Sequence, residues 1–491
     1  YKDWYGANYG VLQTKFRKSD GTFDYGAIQD INAASEHGSM LIMSKAKNYH
    51  NWYGLVSTYT TKLTPNIDFY GGVDFRPYKG THTNDIIDLY GGEYYIDTTR
   101  KNVKAANNSA AANPQWAYQK LGVGDAVYRD FDGHVVQEGA FFQTEYSKRG
   151  LSAFVSGSLS NTSYWRYDRL FYDKEHAKSD TKSYLGFTVK GGANYNLNEQ
   201  HNVFFNAGYI SRAPKFNYGA FLSPMASNVT NPDAKNEKVV SLEVGYGYRL
   251  NWLTVNVNGY WTKWLDKTMT KSSTLGTSQT EAFVNMTGVN ALHKGVELEV
   301  KANPFYWLDL NGMFSIGDWK WDSNATGMVY DDSGAPLTKD GTIASGVGAD
   351  DHLKTGINLK GVRVGGSAQT TAALGATIKL DKKFRIGADW TYYGRNYAYY
   401  SISGSNLTLG KTNTVVEPWK IPAASQVDVN ASYKFKISGL NATLSANVNN
   451  LFDYQYLGKA WNPQSGAANE NTIYGFYAFG RTFSTRLKIN F

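Results

Sequence analysis

Residues that could do catalytic or metal chemistry are scattered along this sequence of 491 residues. The sequence has no cysteine, which excludes disulfides and cysteine-based metal sites. None of its eight histidines lies in an HxH or HxxxH pair, and the Asp-Asp-His run at 350–352 could hold a metal or simply end a solvated loop. The LGKT run at 409–412 lacks the first glycine of a phosphate-binding loop, and no GxSxG motif occurs. We therefore predict that the protein is not an enzyme and holds no metal or cofactor.

Arginine and aromatic side chains near the ends of extended segments are the candidate binding residues. Arg212 lies at the end of one segment, Tyr393, Arg395 and Tyr397 form a polar and aromatic run at the end of another, and Trp461 lies in a long loop. Aromatic faces and guanidinium forks suit sugars, siderophores and peptides equally. We predict that these five residues contact a small ligand. The alternative is that the rings border a membrane and that Arg212 is a structural residue.

The elements that must position these side chains are long strands with strict alternation. In residues 426–437, every second residue is apolar, which assigns the side chains to two faces of a strand. Expected to face outward are Val427, Val429, Ala431, Tyr433 and Phe435, and expected to face inward are Asp428, Asn430 and Lys434. Residues 482–491 alternate in the same way and end on Phe491, and helical spacing is absent over any comparable length.

About fifteen such segments occupy residues 40–491, and they are longer than the ~5–6 residues of a typical soluble strand. They are long enough for tilted membrane crossings of ~9–11 residues. Turns of a few residues alternate with long loops, as in transmembrane β-barrels. The predicted long loops cover residues 81–135, 171–181, 216–235, 271–283, 322–366, 401–423 and 455–473.

Composition agrees with a barrel and excludes other classes. Mean hydropathy is −0.45, because lumen and lipid positions alternate and the average hides the apolar face. No apolar run approaches the ~18 residues of a membrane helix. The net charge of +8 is spread along the chain, so no nucleic-acid partner is predicted. We predict an all-β fold, a large antiparallel transmembrane β-barrel in contact with the lipid bilayer.

Four blocks of the sequence stand out by their order and spacing: YISRAPKF (209–216), NPDAKNEKVVSLEVGYGY (231–248), GVELEVK (295–301) and VNNLFDY (448–454). They resemble blocks of TonB-dependent outer-membrane receptors, and the resemblance extends over nearly the whole chain. Two further blocks, 52–80 and 88–97, resemble the subgroup that carries a carboxypeptidase-regulatory-like domain ahead of its plug.

The resemblance implies a receptor in the bacterial outer membrane that imports a scarce ligand, such as a siderophore, glycan or peptide, with energy from the inner membrane. It implies coupling to the TonB–ExbB–ExbD system through a plug that is not in this sequence, and a possible surface lipoprotein as partner. A terminal strand that ends in Phe491 resembles an assembly signal read by the barrel assembly machinery. Two alternatives stay open: a passive porin of about 16 strands and a structural or adhesion barrel in a surface assembly.

Strand parity predicts an incomplete wall. We expect residues 1–39 to form an extracellular loop with the possible end of a preceding strand, and residues 40–491 to form the barrel. Bacterial single-chain barrels have an even number of strands, whereas about fifteen are predicted here. If the complete barrel has about 22 strands, the earlier strands and the plug precede residue 1. A sixteenth strand at 11–16 would instead favour the porin.

Overall fold

A computed structural model of the chain describes residues 16–97, 118–172, 174–222, 228–275, 280–331, 335–342, 351–399, 407–415, 417–463 and 467–490. Regular structure in these ranges is almost entirely β-strand, and α1 (Tyr25–Ala33) is their one α-helix. No helix in the described ranges is long and apolar enough to cross a membrane. The strands are β1 (Met43–Trp52), β2 (Leu55–Thr64), β3 (Ile67–Asp88), β4 (Ala126–Lys148), β5 (Leu151–Asp168), β6 (Lys182–Asn196), β7 (His201–Arg212), β8 (Glu237–Arg249), β9 (Leu253–Leu275), β10 (Thr280–Phe305), β11 (Leu308–Trp321), β12 (Ala325–Asp331), β13 (Lys354–Asn358), β14 (Thr370–Lys379), β15 (Phe384–Gly394), β16 (Asn396–Tyr397), β17 (Thr412–Thr414), β18 (Lys420–Ile421), β19 (Ala424–Ile437), β20 (Leu440–Asn449), β21 (Leu457–Trp461), β22 (Tyr474–Tyr477) and β23 (Thr482–Asn490).

Nineteen of these strands belong to one sheet, which forms a continuous wall. β1 and β2 pair with successive parts of the same edge of β3 and therefore act as one run. Each strand from β3 to β11 pairs antiparallel with the next, and the wall continues through β14, β15, β19, β20 and β23. These fifteen runs confirm the predicted antiparallel all-β architecture. Within the described residues, β23 pairs with β20 and with neither β1 nor β2.

The wall has one apolar and one polar face, as alternation predicts. Val427 lies with Phe314 and Leu374 around an apolar groove of about 590 Å³. Asp428 lies on the opposite face, where the side chain of Asn430 donates a hydrogen bond to a carboxylate of β15 at 3.4 Å. The predicted assignment of residues 426–437 to two faces is confirmed. In a membrane barrel the apolar face meets lipid and the polar face lines the lumen.

Tight turns close one end of the wall. In two of them both central residues have positive φ: Arg149 and Gly150 (48° and 83°) between β4 and β5, and Ser438 and Gly439 (48° and 85°) between β19 and β20. Positive φ at both positions defines the type I′ turn, whose twist matches that of antiparallel strands. The predicted short-turn side of the barrel is confirmed.

The membrane-spanning part of each run begins at its short turn. On β4, the outward residues Tyr146, Phe142 and Ala140 are apolar, and the first outward acid is Glu138, about ten residues from Lys148. Ten residues at ~3.3 Å each and a tilt near 40° rise about 25 Å, the height of the apolar band of outer-membrane barrels. Residues farther from the short turns therefore lie outside the membrane.

The strands continue beyond the membrane for longer than predicted. β3 extends to Asp88 and β4 begins at Ala126, both inside the predicted loop 81–135. The β9–β10 hairpin occupies most of the predicted loop 271–283, and β12 and β13 lie inside the predicted loop 322–366. These predicted loop bounds are wrong. Above the membrane neither face meets lipid, so the period-2 pattern fades although the hydrogen-bonded ladder continues.

The extended strands and the long loops pack into a layer above the wall. Its buried core includes Val284 and Met286 of β10, Val329 of β12 and Ile357 of β13. Two short segments, β16–β18 and β21–β22, form separate two-stranded sheets at the same end of the molecule.

The helix α1 was not predicted and lies inside the segment expected to be a loop. The side chain of Asp24 caps its N-terminus by accepting a hydrogen bond from the backbone N–H of Ala27 at 3.2 Å. Ile28 and Asn32, one turn apart, are buried, and Asn32 donates to the backbone oxygen of Leu41 at 2.7 Å. The helix has nine residues and buries only two of these side chains, so its sequence is too short to show helical periodicity. The predictions for Asp350, for Phe491 and for residues 11–15 fall outside the described residues.

Candidate ligand-binding region

Four of the five predicted ligand residues lie in one region at the long-loop end of the wall. Tyr393 is the penultimate residue of β15, Arg395 links β15 to β16, and Tyr397 ends β16. Trp461 ends β21. Arg395 has a φ of 51°, which turns the chain out of the wall and into the loop layer. The structure therefore brings together residues that the sequence separates by a long loop.

Backbone pairing joins the loop segments into one unit, which we call the loop platform and define as residues 395–399, 417–421, 457–462 and 474–477. β16 pairs with β18, and β21 pairs with β22. The backbone N–H of Tyr399 donates to the oxygen of Ala460, and that of Asn462 donates to the oxygen of Tyr399, both at 2.8 Å. Ala398, Ile421 and Ala460 are buried beneath this junction. The platform is thus a packed element and its exposed rings have fixed positions.

An open aromatic surface covers the platform. The rings of Tyr399 and Trp461 stack at 5.7 Å, and Phe476 meets Trp461 edge-on at 5.6 Å. Nζ of Lys459 lies 5.1 Å from the centroid of Tyr399 and 5.3 Å from that of Trp461. Phe476 and Tyr474 are 68% and 67% exposed, so ring faces remain free for a ligand. Stacking surface next to one cation can hold a flat or ring-shaped polar molecule.

A second row of rings continues this surface toward the wall. Tyr393 stacks on Tyr456 at 6.2 Å, and Tyr456 stacks on Tyr454 at 6.1 Å. Near them, the backbone oxygen of Arg395 accepts a hydrogen bond from the backbone N–H of Gln369 at 3.2 Å, which joins the start of the platform to the segment before β14.

Arg212 lies outside the platform and is held by its neighbours. Its Nη2 lies 2.9 Å from Oε2 of Glu237, which is 3% exposed, and its guanidinium lies 5.1 Å from the ring centroid of Trp264. These contacts tie the upper ends of β7, β8 and β9 together on the lumen face. The alternative that Arg212 is structural therefore has direct support, although half of its side chain stays exposed to the lumen.

Two basic residues near Arg212 were missed by the sequence analysis. Lys267 and His293 come from β9 and β10 and lie above the membrane-spanning part. Burial and the nearby Lys215 lower the pKa of Lys267, Glu237 opposes that change, and Arg212 adds to it. Burial, and then Lys267, lower the pKa of His293. No spacing rule could have joined these residues, because they come from different strands.

Sequence analysis also missed Tyr399, Lys459 and Phe476 on the platform and Tyr456 beside it. The signal that could have found all of these but Tyr399 is the aromatic density of residues 454–479, which lie around a predicted loop. No group of histidine, aspartate and glutamate side chains that could hold a metal occurs in the described residues. The arrangement can bind a molecule by stacking and by cationic contacts, and it offers no arrangement for covalent chemistry among these side chains.

Comparison with known proteins gives one family and one fold. The family model described as TonB dependent receptor-like, beta-barrel matches residues 2–451. A comparison with curated protein sequences finds no match.

Solved structures with the same fold are similar over most of this chain. The copper transporter OprC shares 17% identity with a TM-score of 0.58, covering 92% of this chain and 58% of its own. The ferric yersiniabactin uptake receptor FyuA from Yersinia pestis shares 13% identity with a TM-score of 0.55, covering 91% and 55%. The ferric preacinetobactin receptor BauA from Acinetobacter baumannii shares 12% identity with a TM-score of 0.52, covering 92% and 56%. The chain thus spans somewhat more than half the length of each.

Proposed function

Since the chain belongs to the TonB-dependent receptor β-barrel family of the bacterial outer membrane, we propose that it forms the wall of a transporter that imports a specific small ligand with energy from the inner membrane. Energy would reach it from the TonB–ExbB–ExbD system through a plug. The barrel assembly machinery would insert it, and a surface lipoprotein is a possible partner on the outside. We favour energised transport over a passive porin or an adhesion barrel, because the matching family model is that of TonB-dependent receptors.

The observation that supports ligand capture is the aromatic surface of the loop platform. Tyr399 and Trp461 present stacked rings beside Lys459 at the mouth of the wall, above a polar lumen. Ring faces bind sugar rings, aromatic chelating groups and peptide side chains, and a cation adds attraction for acceptor oxygens. We propose a siderophore, glycan or peptide ligand. Two of the similar structures are named as receptors for ferric siderophores, which makes a metal chelate one such candidate.

Among the predicted residues, Arg395, Tyr397 and Trp461 would contact the ligand from the platform, and Tyr393 would contact it from the adjoining end of β15. Arg212 would meet it lower in the lumen, with its exposed half, while Glu237 keeps the guanidinium in place. Arg363 lies 5.5 Å from the ring of Tyr397 and holds that ring from one side.

Growth of a deletion strain that carries variants of the gene tests this proposal. The strain is grown on a panel of ferric siderophores, glycans and peptides as sole iron or carbon source. The double variant Tyr399→Ala/Trp461→Ala should need roughly tenfold more of the growth-supporting compound, because two stacking contacts are lost. Tyr306→Ala is the matched control, since Tyr306 is 92% exposed in the short turn between β10 and β11, on the opposite side of the membrane.

Equal growth of the double variant and the control, at equal amounts in the outer membrane, would rule out the platform as the capture surface. A second arm removes TonB from the strain that carries the parent protein. Growth on the same compound should then stop. Continued growth without TonB would contradict energised import and favour a passive pore.

A further inference from the structure

Charged side chains replace apolar ones abruptly on the lipid-facing surface, at one height around the wall. On β10, the outward residue Val296 is 49% exposed and apolar, and the next outward residue is Lys294. On β11 they change from Ile316, 43% exposed, to Asp318, which lies directly across from Lys294. Lys294 and Asp318 are about ten residues from the short turn, at the upper edge of the apolar band. Outer-leaflet headgroups lie at this height.

Four cations and two acids meet at this edge, and we call them the basic rim patch: Lys263, Lys294, Lys320, Arg363, Asp318 and Asp322. Arg363 Nη1 lies 2.6 Å and Lys320 Nζ lies 3.2 Å from the carboxylate of Asp318. Nζ of Lys263 lies 2.6 Å from Asp322. The patch carries a net charge of +2, because four cations face two carboxylates.

Register places these cations on four neighbouring stretches of chain. Lys294 of β10 is directly opposite Asp318 of β11, Lys320 is opposite Leu292 and forms a bridge with Arg363, and Lys263 of β9 is opposite Leu292 on the other side. All four side chains therefore point the same way as Val296 and Ile316, away from the lumen. The patch therefore faces molecules outside the wall.

Several outward cations elsewhere on the wall are each matched by a carboxylate. Lys238 pairs with Asp266 alone at 2.7 Å. Lys79 and Arg169 are matched by Asp130 and Asp132. The basic rim patch, by contrast, keeps an excess of positive charge that an anion can neutralise.

We propose that the basic rim patch binds the phosphate groups of an anionic lipid in the outer leaflet. Arg363 offers a planar donor fork, and Lys294 and Lys320 add mobile donors on either side of it. The apolar groove below Val296 and Ile316, lined by Leu298 and Phe314, accepts the acyl chains of the same molecule. Basic groups at a headgroup surface attract anionic lipids, and a fixed cluster selects for a phosphate.

Native mass spectrometry of the purified protein tests the site with lipid A that carries its phosphates, with dephosphorylated lipid A, and with inorganic phosphate. The variant Lys294→Gln/Lys320→Gln keeps the Arg363–Asp318 pair and should bind phosphorylated lipid A roughly tenfold more weakly. Lys238→Gln is the matched control: it removes an outward lysine at the same height from a balanced pair and should bind like the parent. Dephosphorylated lipid A should bind all three proteins equally weakly.

Each contrary outcome is decisive. Equal binding of phosphorylated lipid A by the parent and the double variant, with the barrel intact by its heat-dependent mobility on gels, overturns the site. Equal binding of the two forms of lipid A by the parent overturns recognition of phosphate. Displacement of lipid A by inorganic phosphate at equal concentration overturns the lipid as ligand and leaves a site for the free anion. Ligand uptake does not enter the readout, so the result is independent of the proposed function.

Discussion

Single side chains of this protein differ in role according to their height above the short turns. In the membrane-spanning part, polar residues such as Asn430 form hydrogen bonds between strands on the lumen face. Above the membrane, charged groups form pairs with at least one buried partner, as Glu237 is beside Arg212 and as both residues are in Arg166–Asp168. Paired charges at this height join neighbouring strands that are no longer in contact with lipid. Removing one partner leaves the other buried and unpaired, which is costly.

Asp132 is the clearest case, and its stability effect should depend on pH. Burial acts to raise the pKa of Asp132, but hydrogen bonds from Arg169, Lys79 and Thr81 outweigh it and lower that pKa to about 2. A depressed pKa stabilises the folded state above the pKa of the unfolded chain, near 4, and the contribution is lost as pH falls toward 2. Asp132→Asn should lower the free energy of unfolding by about 2 kcal/mol at neutral pH.

Thermal unfolding in detergent micelles, followed by circular dichroism, checks this prediction. The difference in stability between parent and variant should be full at neutral pH and should shrink toward zero between pH ~4 and ~2. Asp68→Asn is the control, because Asp68 only approaches the exposed Lys62 at 3.9 Å and such a pair contributes little. A deficit that stays constant with pH would contradict the role of ionised Asp132.

The terminal residue should matter for assembly and not for binding. Removal of Phe491 should lower the amount of protein in the outer membrane, because the last strand then lacks its aromatic end, while uptake per inserted molecule stays the same. Quantitative immunoblots of membrane fractions measure the first and uptake the second. Phe483→Ala serves as control, since it removes an exposed ring of β23 at the other end of the strand. Normal membrane levels of the truncated protein would refute a sorting role.

At the scale of the strand, the two faces set what a substitution costs. Ala431 lies about six residues from the short turn after β19, near the middle of the membrane, and it pairs with Ile386 and Ala446 on the apolar face. Asn430, next to it, lies on the lumen face beside Asp389. Ala431→Lys should reduce the free energy of unfolding by about 2–4 kcal/mol, because a charge is placed in hydrocarbon.

Asn430→Lys is the matched control for Ala431→Lys and should change stability by much less, because the same charge enters a polar lumen next to a carboxylate. Guanidinium unfolding from lipid vesicles gives both values. Similar losses for the two variants would mean that β19 has the opposite register, since a shift of one residue exchanges the faces.

Alternation predicts a strand only where one of its faces contacts lipid. In the membrane, lipid enforces alternation, and β19 was predicted with correct faces from residues 426–437 alone. In the upper parts of β9 and β10 no lipid is present, so residues 271–283 read as a loop although a hairpin continues there. Helix α1 was not predicted for a related reason: its stability depends on burial of Ile28 and Asn32 against loop residues.

For the molecule as a whole, strand direction constrains how the wall closes. The fifteen runs form a meander in which the first, β1 and β2, points the same way as the last, β23. Direct contact between them would be parallel, whereas bacterial single-chain barrels are antiparallel with an even number of strands. An unpaired strand edge cannot persist in lipid. We predict that at least one further strand lies between β2 and β23.

Cysteine cross-linking in cell envelopes can measure this, and the absence of native cysteine gives a clean background. A cysteine pair at Ser445 and Arg486, which are paired on β20 and β23, should form a disulfide and serves as control. A cysteine pair at Thr60 of β2 and Arg486 of β23 should not form a disulfide. A disulfide between Thr60→Cys and Arg486→Cys would show that β2 and β23 close the wall directly and would favour a complete pore.

Sequence pattern alone predicts the all-β wall, the faces of its strands and the side with tight turns. These follow from local rules, namely period-2 alternation in lipid and positive φ in two-residue turns, so nearby residues suffice. It also indicated Tyr393, Arg395, Tyr397, Trp461 and Arg212 as ligand residues, and their role remains a prediction. Tertiary structure alone decided which of them share a surface. Trp461 meets Tyr399 because two loops pair through backbone hydrogen bonds, and Arg212 meets Glu237 because β7 and β8 are adjacent. The basic rim patch likewise exists only when several strands are aligned, because its charges are far apart along the chain and become neighbours through register.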